Sequence, residues 1–226
     1  MAESARRSVS VKLAQHTVEL RPERAAYWLE RKALLVADLH LGKAETFQRA
    51  GLAVPSGHGL ADLQRLTKLQ AVTGATELYV LGDMVHAKRG LTEKVVEVVG
   101  AWLETFPASV TLVLGNHDRN AGRLPAGWRL EQHPEPLLVD SLTLRHLPAP
   151  DSGAAVQGHL HPVVSLHSRT DALRLPCFVL EKEQLTLPAF GSFTGGAPVR
   201  RTARQLRFAV TETQVVALDR TSQRGG

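Results

Sequence analysis

Short apolar runs, each closed by a few polar residues and glycines, set the rhythm of the first half of the chain. TVEL (17–20), AAYWLE (25–30) and ALLVAD (33–38) read as strands, the last two joined by the Glu30–Arg31–Lys32 turn. Leu60, Leu63, Leu66 and Leu69 then recur at about helical spacing, which predicts a helix over 59–72. A second helix is predicted from an N-cap at Thr92 to about Phe106. Val95, Val98, Val99, Trp102 and Phe106 fall on its one face, and Pro107 ends it. LYVL (78–81) precedes this helix and VTLVL (110–114) follows it, a strand–helix–strand unit of the parallel kind.

After Gly122 the pattern changes. WRLEQ, PLLVDSLTLR, ALRLPCFVLE, QLTLPAF, LRFAVTE and QVVALD are short strand-like runs separated by turns, with no helical period between them. Strand–helix alternation followed by a strand-rich half predicts an α/β protein built on two packed sheets flanked by helices. No internal repeat or low-complexity linker divides the chain, and 226 residues suffice for a single α/β domain over 1–226.

Side chains able to bind metal stand where the apolar runs end. Asp38 and His40 lie in VADLHLG, Asp83 in LGDMVH, Asn116 in LGNHD, His146 in LRHLP, and His159 and His161 in QGHLHP. Carboxylates and imidazoles aimed from the ends of parallel strands converge on one rim of a sheet, where open α/β sheets hold their ligands. Each residue alone has a plainer reading. Asp38, Asp83 and Asn116 suit turns or caps, and His146 suits a hydrogen-bonded core position. His159 and His161 flank Leu160, so on a strand both would face one side. All five stations together, in order and at strand ends, are the anatomy of a two-metal hydrolytic site.

Composition narrows the setting. One cysteine, Cys177, leaves no internal disulfide, and no apolar stretch approaches the ~20 residues of a membrane span. The N-terminus lacks the apolar core of a signal peptide, so a cytoplasmic protein away from the membrane is expected. Of the formal charge of +5, residues 1–12 carry +2 and residues 198–226 carry +4, the latter through six arginines, so the body between is close to neutral. Basic ends suit a polyanion such as DNA; they equally suit a solvated edge hairpin protected by arginines. Such a hairpin also offers an edge for a homodimer across a two-fold axis.

The order of the stations resembles the calcineurin-like metallophosphoesterase superfamily, whose pattern runs DxH, GDxx[DH], GNH[DE], a lone His, then GHxH. That resemblance implies a four-layer αββα sandwich. It puts Asp38, His40 and His161 on one divalent ion, Asn116, His146 and His159 on a second, and Asp83 between them. It also implies a metal-bridging hydroxide as nucleophile and His117 beside the leaving group, as acid or hydrogen-bond donor. Carboxylate oxygen and imidazole nitrogen without thiolate suit manganese first, with iron or zinc as alternatives. The chain departs from the serine/threonine phosphatase branch at His86, where that branch has an aspartate that holds the histidine; Asp118 is a candidate to take over that orienting role.

A wider resemblance rests on DLHLGKAETFQRAGLAVPSG, GDMVHAKRG, GNHDR, GHLHP, LRLPCF and LPAFGSFTGG. It is to the bacterial ligase-associated DNA damage response endonucleases, the PdeM family. It implies cleavage of single-stranded or structured DNA in repair, beside a DNA ligase and a helicase. Lys43, Arg49, Lys88, Arg89 and Arg119 follow motif residues closely and are candidates for holding phosphate, Arg89 and Arg119 foremost, with solvated loop charge as the plainer reading; His86 is also a candidate for contact with substrate. The FGSFTGG loop could approach the metals or stack an unpaired base; it could equally be a tight turn with two core phenylalanines. A small-molecule or nucleotide phosphodiesterase is the competing enzyme, and a catalytically silent scaffold the competing non-enzyme.

Overall fold

The computed structural model describes residues 7–150, 153–167 and 172–219. An antiparallel meander opens it: β1 (Val9–Leu13), β2 (His16–Arg21), β3 (Ala25–Trp28) and β4 (Ala33–Val36). Then come α1 (Lys43–Arg49), α2 (His58–Thr73), β5 (Glu77–Leu81), a 3-10 turn at Lys88–Gly90, α3 (Glu93–Thr105), β6 (Ser109–Val113), α4 (Asn116–Ala121) and β7 (Glu131–His133). The seven strands lie in sequence order, β4 to β7 running parallel. β4 is buried on both faces, which is why ALLV shows no alternation. Ala33 and Leu35 face a second sheet; Leu34 and Val36 face the helices.

The second sheet collects β8 (Leu137–Val139), β9 (Leu142–Arg145), β10 (Ala155–Gln157), β11 (Pro162–His167), β12 (Ala172–Glu181), β13 (Gln184–Thr186), β14 (Ala197–Pro198), β15 (Gln205–Val210) and β16 (Val215–Ala217). Its order is β14-β11-β12-β13-β10-β9-β8, with β15 pairing β12 and β16 pairing β15. Within this mixed sheet β10 runs parallel to both β9 and β13. Trp28, Leu35 and Leu81 of the first sheet pack against Leu144, Phe178, Leu185 and Phe208 of the second. Each such side chain contributes roughly 1.5–3 kcal/mol on burial, and this inter-sheet core fixes the offset of one sheet on the other.

Both expected helices are present: α2 covers 58–73, and α3 covers 93–105 with Thr92 Oγ1 accepting from Val95 N at 3.3 Å. The expected α/β architecture of two packed mixed sheets is the observed one. Every α-helix among the described residues lies between 43 and 121, so the helical layer sits on the first sheet. The outer face of the second carries a small apolar cluster of Val164, Cys177, Val179 and Ala209 instead, so among the described residues the expected four-layer αββα sandwich has its helical layer on one side only, no helical period following Gly122 in the sequence. WRLEQ contributes a strand only over 131–133, because Trp128 turns into the helix-side core and donates from Nε1 to Val96 O at 3.1 Å.

The two basic ends meet. Arg7 N donates to Thr213 O at 3.0 Å and Val215 N to Arg7 O at 2.9 Å, joining the edges of the two sheets. Arg207 is spent on Asp219 at 2.9 and 3.0 Å, and Arg201 lies 3.4 Å from the same carboxylate. Arg6, Arg220 and Arg224 lie outside the described residues. Among the described residues no helix is long and apolar enough to cross a membrane.

Candidate metal centre

Parallel register brings the C-terminal ends of β4, β5 and β6 to one rim, and Asp38, Asp83 and Asn116 follow within three residues of these ends. The backbone ladder continues past the strands: Asp38 N donates to Gly82 O at 3.1 Å and His40 N to Asp83 O at 2.9 Å. From the second sheet, His146 follows β9 directly and His159 lies just beyond β10. Asp38, His40, Asp83, His159 and His161 all have positive φ, between 44° and 70°. This left-handed backbone is unfavourable for residues with a Cβ, and it concentrates where surrounding structure over-determines a functional geometry. Here it turns the side chains out of the strand direction into one space. Gly82, at φ 79°, is a position where only glycine fits, since a Cβ there would collide with the His146 ring.

The expected ligands form two groups that share this space, Asp38 with His40 and His161, and Asp83 with His146 and His159, and His40 also gathers with His86 and His117 in a third. In the first, His161 Nε2 lies 3.0 Å from Asp38 Oδ1 and 3.4 Å from His40 Nε2. In the second, His146 Nε2 lies 3.3 Å from Asp83 Oδ2, 3.0 Å from Asn116 Oδ1 and 3.1 Å from His159 Nδ1. Asp83 Oδ2 also faces His40 Nε2 at 3.9 Å, so it stands between the groups. The sequence pattern had His159 and His161 sharing one face of a strand. They instead lie on an irregular segment after β10, where successive positive φ values send the two rings to different groups.

These residues fit divalent cations. Asp38 Oδ1 is buried and, although His161 Nε2 lies 3.0 Å away, accepts no hydrogen bond, a costly state for a carboxylate oxygen unless a cation satisfies it. His146 Nδ1 faces Leu81 O at 3.0 Å and must donate to it, which leaves Nε2 as a lone pair aimed at the oxygens of Asn116 and Asp83. Acceptors that converge in this way are held together by positive charge, and a backbone carbonyl fixing the remote ring nitrogen is typical support for a metal-binding histidine. Without the cation a proton substitutes: burial works against a charged His146, yet its bond to Asp83 and the Asp38 charge raise its pKa to about 9. Burial drives His40 to about 3 despite Asp83, so its imidazole is neutral. Asp83 is lowered although burial pushes it up, because the His146 hydrogen bond and charge outweigh that.

His117 lies at the mouth of this space, with Nε2 4.0 Å from Asp83 Oδ2. Its own N–H donates to Asp83 Oδ1 at 2.8 Å, and its Nδ1 faces His86 O at 2.6 Å and therefore donates to it. The backbone carbonyl of His86 thus orients this ring, leaving Nε2 toward the open side. Asp118, the expected orienting group, is engaged elsewhere: its oxygens accept from Val85 N and Gly115 N, each at 3.0 Å, and staple the second motif to the third. The His86 ring stacks on His117, with centroids 5.0 Å apart and planes 21° apart. Burial, then the charges of His117 and Lys43, lower His86 to about 4, so it supplies a neutral face rather than a counter-charge.

The profile of the calcineurin-like phosphoesterases matches residues 31–184, which contain every one of these side chains. The chain belongs to that family. Its fold also matches the crystal structure of Pseudomonas putida nuclease MPE, with a TM-score of 0.81 and 33% identity over 93% of this chain and 100% of that one. No curated protein matches the chain at a significant level. The protein is accordingly a metal-dependent phosphoesterase.

Around the centre of this phosphoesterase the two foremost arginines differ in their surroundings. Arg89 is exposed on the 3-10 turn, and its side chain makes no hydrogen bond or ion pair among the described residues. Arg119 is committed to Leu114 O at 2.9 Å and to Glu135 at 3.0 Å. Glu135 was not anticipated. Its Oε2 accepts from His146 N and Leu147 N, each at 2.8 Å, so it anchors the backbone that carries His146. Nothing in the sequence around Glu135 signals this, because its partners come from another strand. The FGSFTGG loop does reach the site: Phe190 N donates to Ala37 O at 2.8 Å and Gly191 N to Asp38 O at 3.1 Å. Phe190 is core and Phe193 is not. Phe193 stacks on His58 at 4.9 Å and meets Phe47 edge-on at 5.9 Å, and Phe47 meets His86 at 6.0 Å. An unbroken row of rings therefore runs from His117 to His58.

Proposed function

We propose that this phosphoesterase is a manganese-dependent DNA phosphodiesterase, an endonuclease for single-stranded or structured DNA in repair. The observation that carries the reading is the likeness to a nuclease along nearly the whole of both chains. Asp38, His40 and His161 would hold one ion, Asn116, His146 and His159 the second, and Asp83 both. When bound, such ions supply Lewis acidity toward phosphoryl oxygens and acidify water. Oxygen and imidazole donors without thiolate favour manganese, and the neutral Asn116 keeps the loaded site positive toward a phosphodiester. His117, with Nδ1–H held by the His86 carbonyl, presents Nε2 to the departing alkoxide and, as the doubly protonated imidazolium, donates its Nε2 proton to it. The aromatic row from His86 through Phe47 to Phe193 gives an unpaired base a surface to stack on, which duplex DNA could not use.

The test is to strip the protein with chelator, restore manganese, magnesium, zinc or iron separately, and assay bis-p-nitrophenyl phosphate beside a single-stranded hairpin oligonucleotide. Manganese-restored cleavage of both, lost in His117→Ala, is the expected result. Cleavage of the small diester alone would keep the chemistry and move the substrate to a nucleotide or metabolite. No turnover with any metal despite bound ions would make the chain a scaffold.

A further inference from the structure

A pocket of about 250 Å³ adjoins the metal centre, lined by Arg24, His161, Arg174, Ser192, Thr194 and Gly196 among others. Arg24 reaches it from the turn between β2 and β3. Ala26 pairs with Leu35, so that turn lies beyond the C-terminal end of β4, on the rim that carries Asp38. Arg174 comes from β12, opposite Ser165 of the strand that begins just after His161. The remaining wall is the 190–196 loop, fixed to the first motif by its bonds to Ala37 and Asp38. His161 therefore belongs to both the metal group and this pocket.

We propose that this pocket is an anion subsite that holds a backbone phosphate next to the one being cut. The inference rests on the DNA phosphodiesterase reading of the adjoining centre. Among the described residues two guanidiniums line the pocket and no carboxylate does. The Arg24 side chain is half-buried and makes no hydrogen bond or ion pair among the described residues. Asp62, whose charge reaches it, is already engaged by Arg65 at 2.9 Å and by Ser192 N at 2.8 Å. Burial lowers the Arg24 pKa, an effect that Asp62 only partly offsets. A sheltered cation without a partner gains from an anion that brings its own acceptors. Arg174 donates one Nη2 bond to Gly196 O, and its other donors have no acceptor among the described residues. The volume is below the roughly 300–1,000 Å³ of sites for drug-sized ligands, so the pocket suits a phosphate rather than a whole nucleotide.

The test compares manganese-loaded wild type with Arg24→Gln and Arg174→Gln on a five-nucleotide single strand and on bis-p-nitrophenyl phosphate, which has no neighbouring phosphate. The ratio of the two kcat/KM values is expected to fall about tenfold in Arg24→Gln, through KM for the oligonucleotide. A neutral methylphosphonate beside the scissile linkage should reproduce the loss in wild type and add nothing in the variant. Equal losses on both substrates, or a full methylphosphonate effect persisting in Arg24→Gln, would overturn the proposal. Failure of the wild type to cut any oligonucleotide would remove the nuclease reading by itself. The pocket is then judged by inorganic pyrophosphate as a competitor of the small diester: weaker inhibition in Arg24→Gln supports it, and unchanged inhibition overturns it.

Discussion

Asp83→Asn is the sharpest perturbation of the proposed centre, because it keeps shape and removes one charge. Asp83 Oδ1 accepts from His117 N at 2.8 Å, while Oδ2 lies 3.3 Å from His146, 3.9 Å from His40 and 4.0 Å from His117. The single amide oxygen of asparagine can keep the bond to His117 N. Its NH₂ would then stand where the cation-facing oxygen was. Removing one partner of a buried charge pair costs about 3–5 kcal/mol, which converts to roughly two to three and a half orders of magnitude in cation affinity. The assay is metal content by mass spectrometry after dialysis against manganese, together with turnover of bis-p-nitrophenyl phosphate. We expect the variant to keep the wild-type circular dichroism spectrum, to retain fewer than two ions per chain, and to turn over below about a thousandth of wild type. Two retained ions with near-normal turnover would refute the placement of Asp83 between the two groups.

Glu135→Ala leaves the amides of His146 and Leu147 without their acceptor; a loss of about 2 kcal/mol, or roughly 5 °C in Tm, is expected in thermal unfolding, and Glu135→Gln should recover part of it. Phe193→Ala should lower kcat/KM for a single-stranded oligonucleotide about tenfold relative to the small diester, whereas an equal drop on both substrates would argue against base stacking. Chelation should lower Tm by about 6 °C relative to manganese at a hundred times its Kd, as seen by scanning calorimetry. Burial raises the Cys177 thiol to about 11, so thiol reagents at pH 8 should label the folded chain far more slowly than the unfolded one. The folded pKa lies above the unfolded value, so this group's stabilising contribution is full below about pH 9 and is lost as pH rises toward 11.

Much of the candidate site was legible in the sequence because its parts are local. A four- or five-residue apolar run announces a buried strand without reference to anything distant, and a strand end is where an Asp, Asn or His can leave the ladder. ALLV, ELYVL and SVTLV became β4, β5 and β6, and the polar residues after them stand on one rim. Thr92 capped its helix for an equally local reason. Other features were set between segments far apart in the chain. Asp38 meets His161 across more than a hundred residues because the inter-sheet core fixes the offset of the two sheets. The same packing brings Glu135 under His146, ends Arg119 in a bridge, and closes Arg24 and Arg174 over one pocket. The divergence of His159 and His161 required positive φ at both, which the neighbouring structure imposes and their own side chains do not favour. The sequence by itself therefore determined which chemistry is present and on which strand ends it stands, since propensity and pattern act over a few residues. Which groups share a cation, which ring is oriented by a carbonyl, and which arginine is left without a partner were decided by the packing of one sheet on the other.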